Sequence, residues 1–196
     1  NILKSLRLEN TTNSNVGIIF KGADRFLHNY GTNNLFLGIN SGNFTMTGVS
    51  NTAVGKNSLF SNTGGNLNTA LGENTLYLNT LGNFNTAVGQ NSLANNTNGN
   101  GNTALGLFSL GSNTEGNNNT SVGFFSLTSN ITGSENTAIG FRSLSSNTTG
   151  VNNTSVGNSS LFSNITGDNN TALGMESLNS NTIGNSNTAV GNGSLY

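Results

Sequence analysis

The chain has 196 residues, of which 42 are Asn, 32% are hydrophobic and 7% are charged, and its formal net charge is −1. This balance offers no basic surface for nucleic acid and no electrostatic attraction to an anionic membrane. The absence of Cys excludes disulfides and thiolate metal sites, and no apolar run is long enough to predict a membrane-inserted helix.

The first segment, residues 1–33, has an apolar run at 18–20 and most of the basic residues of the chain. We interpret it as a cap that covers the start of the next segment and links it to an upstream part. His28 is the only histidine, and we interpret it as structural. Since the chain begins at Asn1 rather than Met and ends inside a repeat at Tyr196, we expect it to be a piece of a longer protein.

The second segment, residues 34–196, repeats a 17-residue unit that opens with Asn-Thr-Ala-(Val/Leu/Ile)-Gly or a close variant. The copies begin at Asn34, Asn51, Asn68, Asn85, Asn102, Asn119, Asn136, Asn153, Asn170 and Asn187. A fixed period of this length is typical of proteins in which each unit stacks on its neighbours. The period therefore outweighs the low hydrophobicity, which alone would suggest disorder.

We number the unit 1 to 17 from this Asn. Position 4 is always a branched aliphatic residue and position 9 is Leu from Leu59 to Leu195, so these two positions are the predicted core. Position 5 and position 15 are Gly in every copy that reaches them, and position 12 is Asn from Asn62 to Asn181. Gly at a fixed place indicates a backbone that has positive φ or leaves no room for a Cβ, and Asn also tolerates left-handed geometry, so we predict two corners in each unit.

Positions 2–4 and 8–10, which lie between these corners, have the length of minimal strands, whereas two Gly in each unit argue against a helix. We predict an all-β fold, a β-solenoid (β-roll) of ten 17-residue coils with two strands in each coil. With strands stacked roughly 4.8 Å apart, ten coils form a rod on the order of 45 to 50 Å long.

Position 3 is always Ala or Ser from Ala53 to Ala189, so neither face of the strand at positions 2–4 carries a bulky polar group. Either the small residues allow a second chain to approach closely, or they save space inside a narrow coil while position 4 points outward. Both alternatives leave an apolar stripe that needs cover. We therefore expect a homo-oligomer.

The unit Asn-Thr-Ala-(Val/Leu)-Gly-x-x-Ser-Leu-x-x-Asn-Thr-x-Gly resembles repeats of bacteriophage and related tail-fibre proteins and of bacterial surface proteins. It is also similar to the head repeats of YadA-like trimeric autotransporter adhesins, whose period is shorter. The lead-in at 26–38, FLHNYGTNNLFLG, resembles the segment that introduces such arrays in tail-fibre-like proteins. The resemblance implies a homotrimer of left-handed β-rolls that forms the shaft or head of an extracellular fibre.

In that setting the module would serve attachment to a host or surface, with a glycan or protein receptor as partner. The alternative parents are a virion tail fibre and a bacterial trimeric autotransporter-type adhesin. An ice-binding β-solenoid is a third, less favoured interpretation, because the Thr at position 2 has no second outward Thr column beside it.

The sequence predicts no enzyme, no cofactor and no metal site. The acidic residues fall in different positions of the unit, and no two of them pair for acid–base chemistry. We interpret the Ser at position 8 as a hydrogen-bonding ladder. The Asn-x-Thr sequences at Asn130, Asn147 and Asn164 follow from the repeat itself, so we interpret them as structural.

One group of variable residues stands out at positions 6 and 7 of three successive coils. It comprises Leu107, Phe108, Phe124, Phe125, Phe141 and Arg142. We expect these side chains to form one contiguous cluster. They either fill a widened core, within the coil or between chains, or form an aromatic platform for a sugar or a protein partner.

Overall fold

A computed structural model describes residues 17–196, and in this range the chain forms one twelve-stranded sheet with no helix. The strands are β1 (Ile19–Lys21), β2 (Asp24–His28), β3 (Leu35–Leu37), β4 (Thr52–Val54), β5 (Thr69–Leu71), β6 (Thr86–Val88), β7 (Thr103–Leu105), β8 (Thr120–Val122), β9 (Thr137–Ile139), β10 (Thr154–Val156), β11 (Thr171–Leu173) and β12 (Thr188–Val190). Their order in the sheet is their order in the chain.

Strands β3 to β12 are parallel, and each pairs with the strand one unit away in the same register. Thr52, for example, pairs with Thr69, and Thr69 pairs with Thr86. Each circuit of 17 residues therefore returns the chain to the next level of one sheet, and ten strands define about nine turns. The β-solenoid predicted from the repeat is confirmed.

The start of the described chain is a β-hairpin. β1 and β2 are antiparallel to each other, and β2 is antiparallel to β3. The hairpin thus occupies the edge that the first coil would otherwise expose, which protects it from pairing with another strand. Residues 1–16, the rest of the predicted cap, lie outside the described residues.

The second strand predicted at positions 8–10 of each coil is wrong. Positions 7 and 9 have positive φ, for example 57° at Asn57 and 51° at Leu59. Two left-handed residues separated by one residue turn the chain rather than extend it. The Leu at position 9 nevertheless points inward and is fully buried at Leu59, Leu76 and Leu93, so its predicted role in the core is confirmed.

The core assignment of position 4 is also wrong within the single chain. From β4 to β12 the inward residue of each strand is the small one at position 3, fully buried at Ala53 and Ser121. In β3 it is Phe36, which packs against Gly42 where later coils have Leu. Position 4 faces outward, and Leu71 and Leu105 are 37% and 46% exposed. The coil interior is narrow, so only Ala or Ser fits on the strand opposite the buried Leu.

Asn side chains link the coils along the rod axis. In the ladder at position 1, the backbone N–H of Asn68 donates to Oδ1 of Asn51 at 3.0 Å, and Nδ2 of Asn68 donates to the Gly82 carbonyl at 2.8 Å. In the ladder at position 12, Nδ2 of Asn79 donates to Oδ1 of Asn62 at 2.7 Å. Such ladders stabilise a stack that has little apolar content.

The role predicted for Gly at positions 5 and 15 is confirmed, whereas the left-handed backbone predicted at the Asn of position 12 is wrong. The Asn at position 12 is absent from the residues with positive φ, so its value lies in its side-chain ladder rather than in left-handed backbone. Gly at position 5 does have positive φ, from 120° at Gly89 to 141° at Gly157. Gly is required at position 15 because there is no room for a side chain: a Cβ at Gly99 would overlap Oδ1 of Asn96 and the carbonyl of Gly116.

Polar groups in the interior are satisfied. Ser58 at position 8 donates its hydroxyl to the Ala70 carbonyl at 3.2 Å, as the predicted ladder requires. Within residues 17–196, every buried side-chain nitrogen and oxygen has a hydrogen-bond partner. The same part of the chain has no helix long and apolar enough to span a membrane.

Candidate interaction surfaces

The outward side of strands β3 to β12 forms a flat surface of two columns, positions 2 and 4, which we call the outer strand face. Position 2 is Leu35 in the first coil and Thr in the nine that follow. Position 4 is aliphatic in all ten coils, and neither column contains a charged residue. The face therefore has one Thr column beside an aliphatic column rather than two Thr columns.

The outer strand face has unused bonding capacity as well as apolar surface. Among the described residues, no hydrogen bond engages a hydroxyl of the position 2 Thr residues, in contrast to the Thr at position 13, where Thr80 donates its hydroxyl to the Thr97 carbonyl at 3.1 Å. The aliphatic column is exposed at Leu105 and Ile139. An uncharged stripe of this length is the kind of surface that oligomers bury.

The second candidate surface is the aromatic cluster of the central coils. Phe108 stacks on Phe125 with ring centroids 5.1 Å apart and ring planes 7° apart. Phe124 stacks on Phe141 at 5.7 Å and 3°, and it meets Phe125 edge to face at 4.5 Å. The Arg142 guanidinium lies 5.4 Å from the centroid of Phe141. The structure thus brings together five of the six predicted residues.

The sixth residue, Leu107, lies at position 6 one coil before Phe124 and is half-buried. The rings do not fill the interior of the coil, because Phe108, Phe124 and Phe141 are 37%, 41% and 44% exposed. One face of each ring is stacked on another ring of the cluster, and the Arg142 guanidinium lies near Phe141.

Local backbone explains why this cluster is unusual. Phe108, Phe125 and Arg142 occupy position 7, where φ is 55°, 54° and 52°. Earlier coils place Asn there, which accepts left-handed geometry more easily than an aromatic residue does. The stacking of the rings offsets part of this strain, since aromatic pairs contribute about 0.5–1.5 kcal/mol beyond burial.

His28, the only histidine of the chain, has a structural role in the cap. His28 is 2% exposed, its Nε2 donates to the Ser41 carbonyl at 2.9 Å, and its Nδ1 accepts from the backbone N–H of Tyr30 at 3.4 Å. Burial lowers the pKa of His28, with a smaller lowering from Arg25 and an opposing effect of the bond to Ser41. The ring packs between Phe36 and Phe44, and no acidic side chain of residues 17–196 bonds to it.

Other candidate chemistry is accounted for by the stack. Asn130, Asn147 and Asn164 are fully buried and donate their Nδ2 atoms along the position 12 ladder. Their role is structural, as predicted, because a buried amide that donates two bonds is inaccessible to modification. No group of three or more His, Asp and Glu within residues 17–196 is arranged to hold a metal ion.

Of the two alternatives that the sequence left open, the structure bears out the one in which position 3 saves space inside a narrow coil and position 4 points outward. The sizes of the residues carried this signal, since a small residue at position 3 beside a larger one at position 4, from Ala53 onward, marks the side with less room. No family model matches the chain, and no curated protein or solved structure is detectably similar to it. Function is therefore inferred from the fold and its surfaces.

Proposed function

We propose that this chain is a structural module, a rigid rod that associates with two further copies through the outer strand face and forms the shaft or head of an extracellular fibre. The observation that carries the proposal is the uncharged aliphatic column at position 4, which runs through all ten coils and is open to solvent in the single chain.

The rigidity follows from the bonding between coils. Backbone hydrogen bonds join successive coils outside the strands as well, for example from Leu59 to Thr75 at 3.0 Å and from Ser61 to Tyr77 at 3.1 Å. Three side-chain ladders, at positions 1, 12 and 16, add to these backbone bonds. In the ladder at position 16, Nδ2 of Asn66 donates to Oδ1 of Asn83 at 2.9 Å. Bending the rod would stretch all of these bonds on one side.

A three-fold axis parallel to the rod suits the outer strand face. Around such an axis the aliphatic columns of three copies meet at equal levels and exclude water, while the Thr columns lie at the rim and can bond across the contact. The sequence resemblance to tail-fibre and YadA-like repeats supports three copies. The left-handed roll that it implies stays a prediction.

In this role the rod holds a tip away from its base and serves attachment to a host or surface. The parent is a phage or phage-like tail fibre, with a bacterial trimeric autotransporter-type adhesin as the second candidate. The aromatic cluster is the surface that we assign to a receptor, a glycan or a protein, because the stacking of the coils does not require it.

The test is the mass of the chain in solution, measured by sedimentation at micromolar concentration. We expect a trimer for the wild type and a monomer for the double variant Leu105→Lys/Ile139→Lys, which places charges in the buried contact. The matched control is Thr132→Lys/Thr166→Lys, which adds the same charges two coils apart at the exposed position 14. A wild-type monomer, or equal masses for both variants, would refute association through this face.

A further inference from the structure

The aliphatic column of the outer strand face alternates in size from coil to coil. Its residues in chain order are Leu37, Val54, Leu71, Val88, Leu105, Val122, Ile139, Val156, Leu173 and Val190. Each larger residue, Leu or Ile, is thus separated from the next by one Val, without exception over ten coils. The true repeat of this surface is two coils rather than one.

The alternation shapes the surface. Leu71, Leu105 and Ile139 are exposed, whereas Val88 and Val122 between them are half-buried. The face therefore has ridges roughly 9.6 Å apart, twice the strand spacing, with hollows between them. Position 2 beside it does not alternate, since it is Thr in nine successive coils.

Stacking within the chain does not require this alternation. The buried column at position 9 is Leu in nine successive coils at the same spacing, and its members are fully buried at Leu93, Leu110 and Leu127. A uniform column of large residues is therefore compatible with this parallel stack. Only the column that faces away from the chain alternates through all ten coils, whereas positions 3 and 13 of the unit alternate between two residue types in the later coils alone.

We propose that the alternation sets the axial register in which copies of this chain associate. This inference rests on the proposed function, and its partner is a further copy with the same face. When equal levels meet around a common axis, layers of Leu or Ile alternate with layers of Val, and the larger side chains of one layer occupy the room left by the smaller layers above and below.

A displacement by one coil mixes the two sizes in every layer, which produces crowding at some contacts and voids at others. A displacement by two coils restores the match but removes two of the ten coils from contact. If the column were uniform, a displacement by one coil would remove only one coil from contact. The alternation thus disfavours the displacement by one coil, which would otherwise cost the least contact, as size patterns do in other repetitive interfaces.

The experiment maps the register by disulfide trapping, because the chain has no natural Cys. Leu105→Cys in one chain is paired with either Leu105→Cys or Val122→Cys in a second, differently tagged chain, because position 4 is where equal levels of the copies meet. The otherwise wild-type background is expected to trap the 105–105 pair. An all-Val background, with Leu37, Leu71, Ile139 and Leu173 replaced by Val, is expected to trap both pairs.

A matched control exchanges the phase, with every Val of the column replaced by Leu and every Leu or Ile by Val. Outside the Cys positions this variant keeps the alternation, and it is expected to trap only the 105–105 pair with itself. Mixed with the wild type, it is expected to trap only the 105–122 pair, because only a displacement by one coil restores equal layers.

The outcomes separate the two proposals. A monomeric wild type by sedimentation would overturn the association itself. An associated wild type with the same single register in the all-Val background would overturn the register inference and leave the association intact. If the all-Val chain does not fold, the mixture of wild type and phase-exchanged chain decides, and trapping of the 105–105 pair in that mixture would overturn the inference.

Discussion

The two faces of one short strand carry opposite kinds of residue in this protein. The inward face has Ala or Ser, fully buried at Ala87 and Ala138, whereas the outward face has the larger aliphatic residue, exposed at Leu105. In most globular sheets the larger apolar residue lies inside. The reversal shows that the space available in a narrow coil, rather than hydrophobicity, decides which residue points inward.

The same comparison separates two contributions to stability, one from contacts within the chain and one from contacts between copies. The inner columns hold the coils together through close packing and buried hydrogen bonds, and a single chain satisfies them. Within residues 17–196 the outer column lies at the surface, so it would contribute to stability mainly through the proposed association. Substitutions on the two faces should therefore have different consequences.

The largest effect is expected for Gly123→Val. Gly123 has φ of 140°, and a Cβ there would overlap the carbonyl of Gly140 in the next coil. Backbone strain alone costs about 1–3 kcal/mol, and the overlap with backbone adds to it. We expect a loss of more than about 4 kcal/mol, measured as a lower thermal midpoint by circular dichroism.

The matched control is Gly191→Val, which lies at the same position of the unit in the last coil. Its φ is 123°, but a Cβ there meets nothing within 4 Å. It carries the strain without the overlap and should lower the midpoint much less. Equal losses at both sites would show that close approach between coils is not what requires Gly.

The next effect contrasts neighbours on the two faces. Ala104→Leu places three extra carbons in the filled interior and should destabilise the folded chain by about 3 kcal/mol. Leu105→Ala removes three carbons from the exposed face and should change the stability of the isolated chain by less than about 1 kcal/mol. Urea unfolding at low protein concentration measures both.

Association between copies should show the opposite pattern, with the outward substitution having the larger effect. Leu105→Ala is expected to weaken the proposed trimer. A small change on the inward face, Ala104→Ser, introduces the residue that Ser121 supplies at the same position one coil later, and it should leave association unchanged. The comparison fails if Leu105→Ala destabilises the isolated chain as much as Ala104→Leu does.

The repeat itself made much of the fold predictable. A phase kept through nine copies fixes the stacking and the parallel pairing, and the burial of the Leu at position 9 followed from its constancy. Ser58 and its equivalents were predicted as a hydrogen-bonding ladder for the same reason. These features depend only on identical residues meeting at successive levels.

Other features were not predictable, because they depend on backbone conformation within the coil. Leu59 lies in the left-handed region, which its type disfavours, so the turn at positions 8–10 had the composition of a strand. Asn62 was assigned to left-handed backbone, although it serves a side-chain ladder. The aromatic cluster was predictable as a group, but its stacking was not.

A smaller effect is expected for the aromatic cluster. Phe124→Ser/Phe125→Ser removes three ring contacts from half-exposed positions, which should lower stability by about 1–2 kcal/mol. The control Phe84→Ser changes a residue that is 63% exposed and should lower stability less. If attachment of the parent particle or cell falls with the double variant and not with the control, the cluster is a contact for the receptor.

The smallest expected effect lies in the cap and depends on pH. Burial lowers the pKa of His28 in the folded chain below its ordinary value of 6.5, and Arg25 acts in the same direction. The stability that neutral His28 contributes is therefore fully present above about pH 6.5 and is lost as the pH falls toward the lower folded pKa. Protonation would remove the acceptor at Nδ1 that bonds the Tyr30 N–H.

Amide exchange, corrected for intrinsic rates, should show weaker protection across β2 and β3 at pH 5.5 than at pH 7.5, with little change in β8 and β9. His28→Phe keeps an aromatic ring between Phe36 and Phe44 and should abolish this difference, and a difference of the same size in the variant would assign the pH dependence to another group.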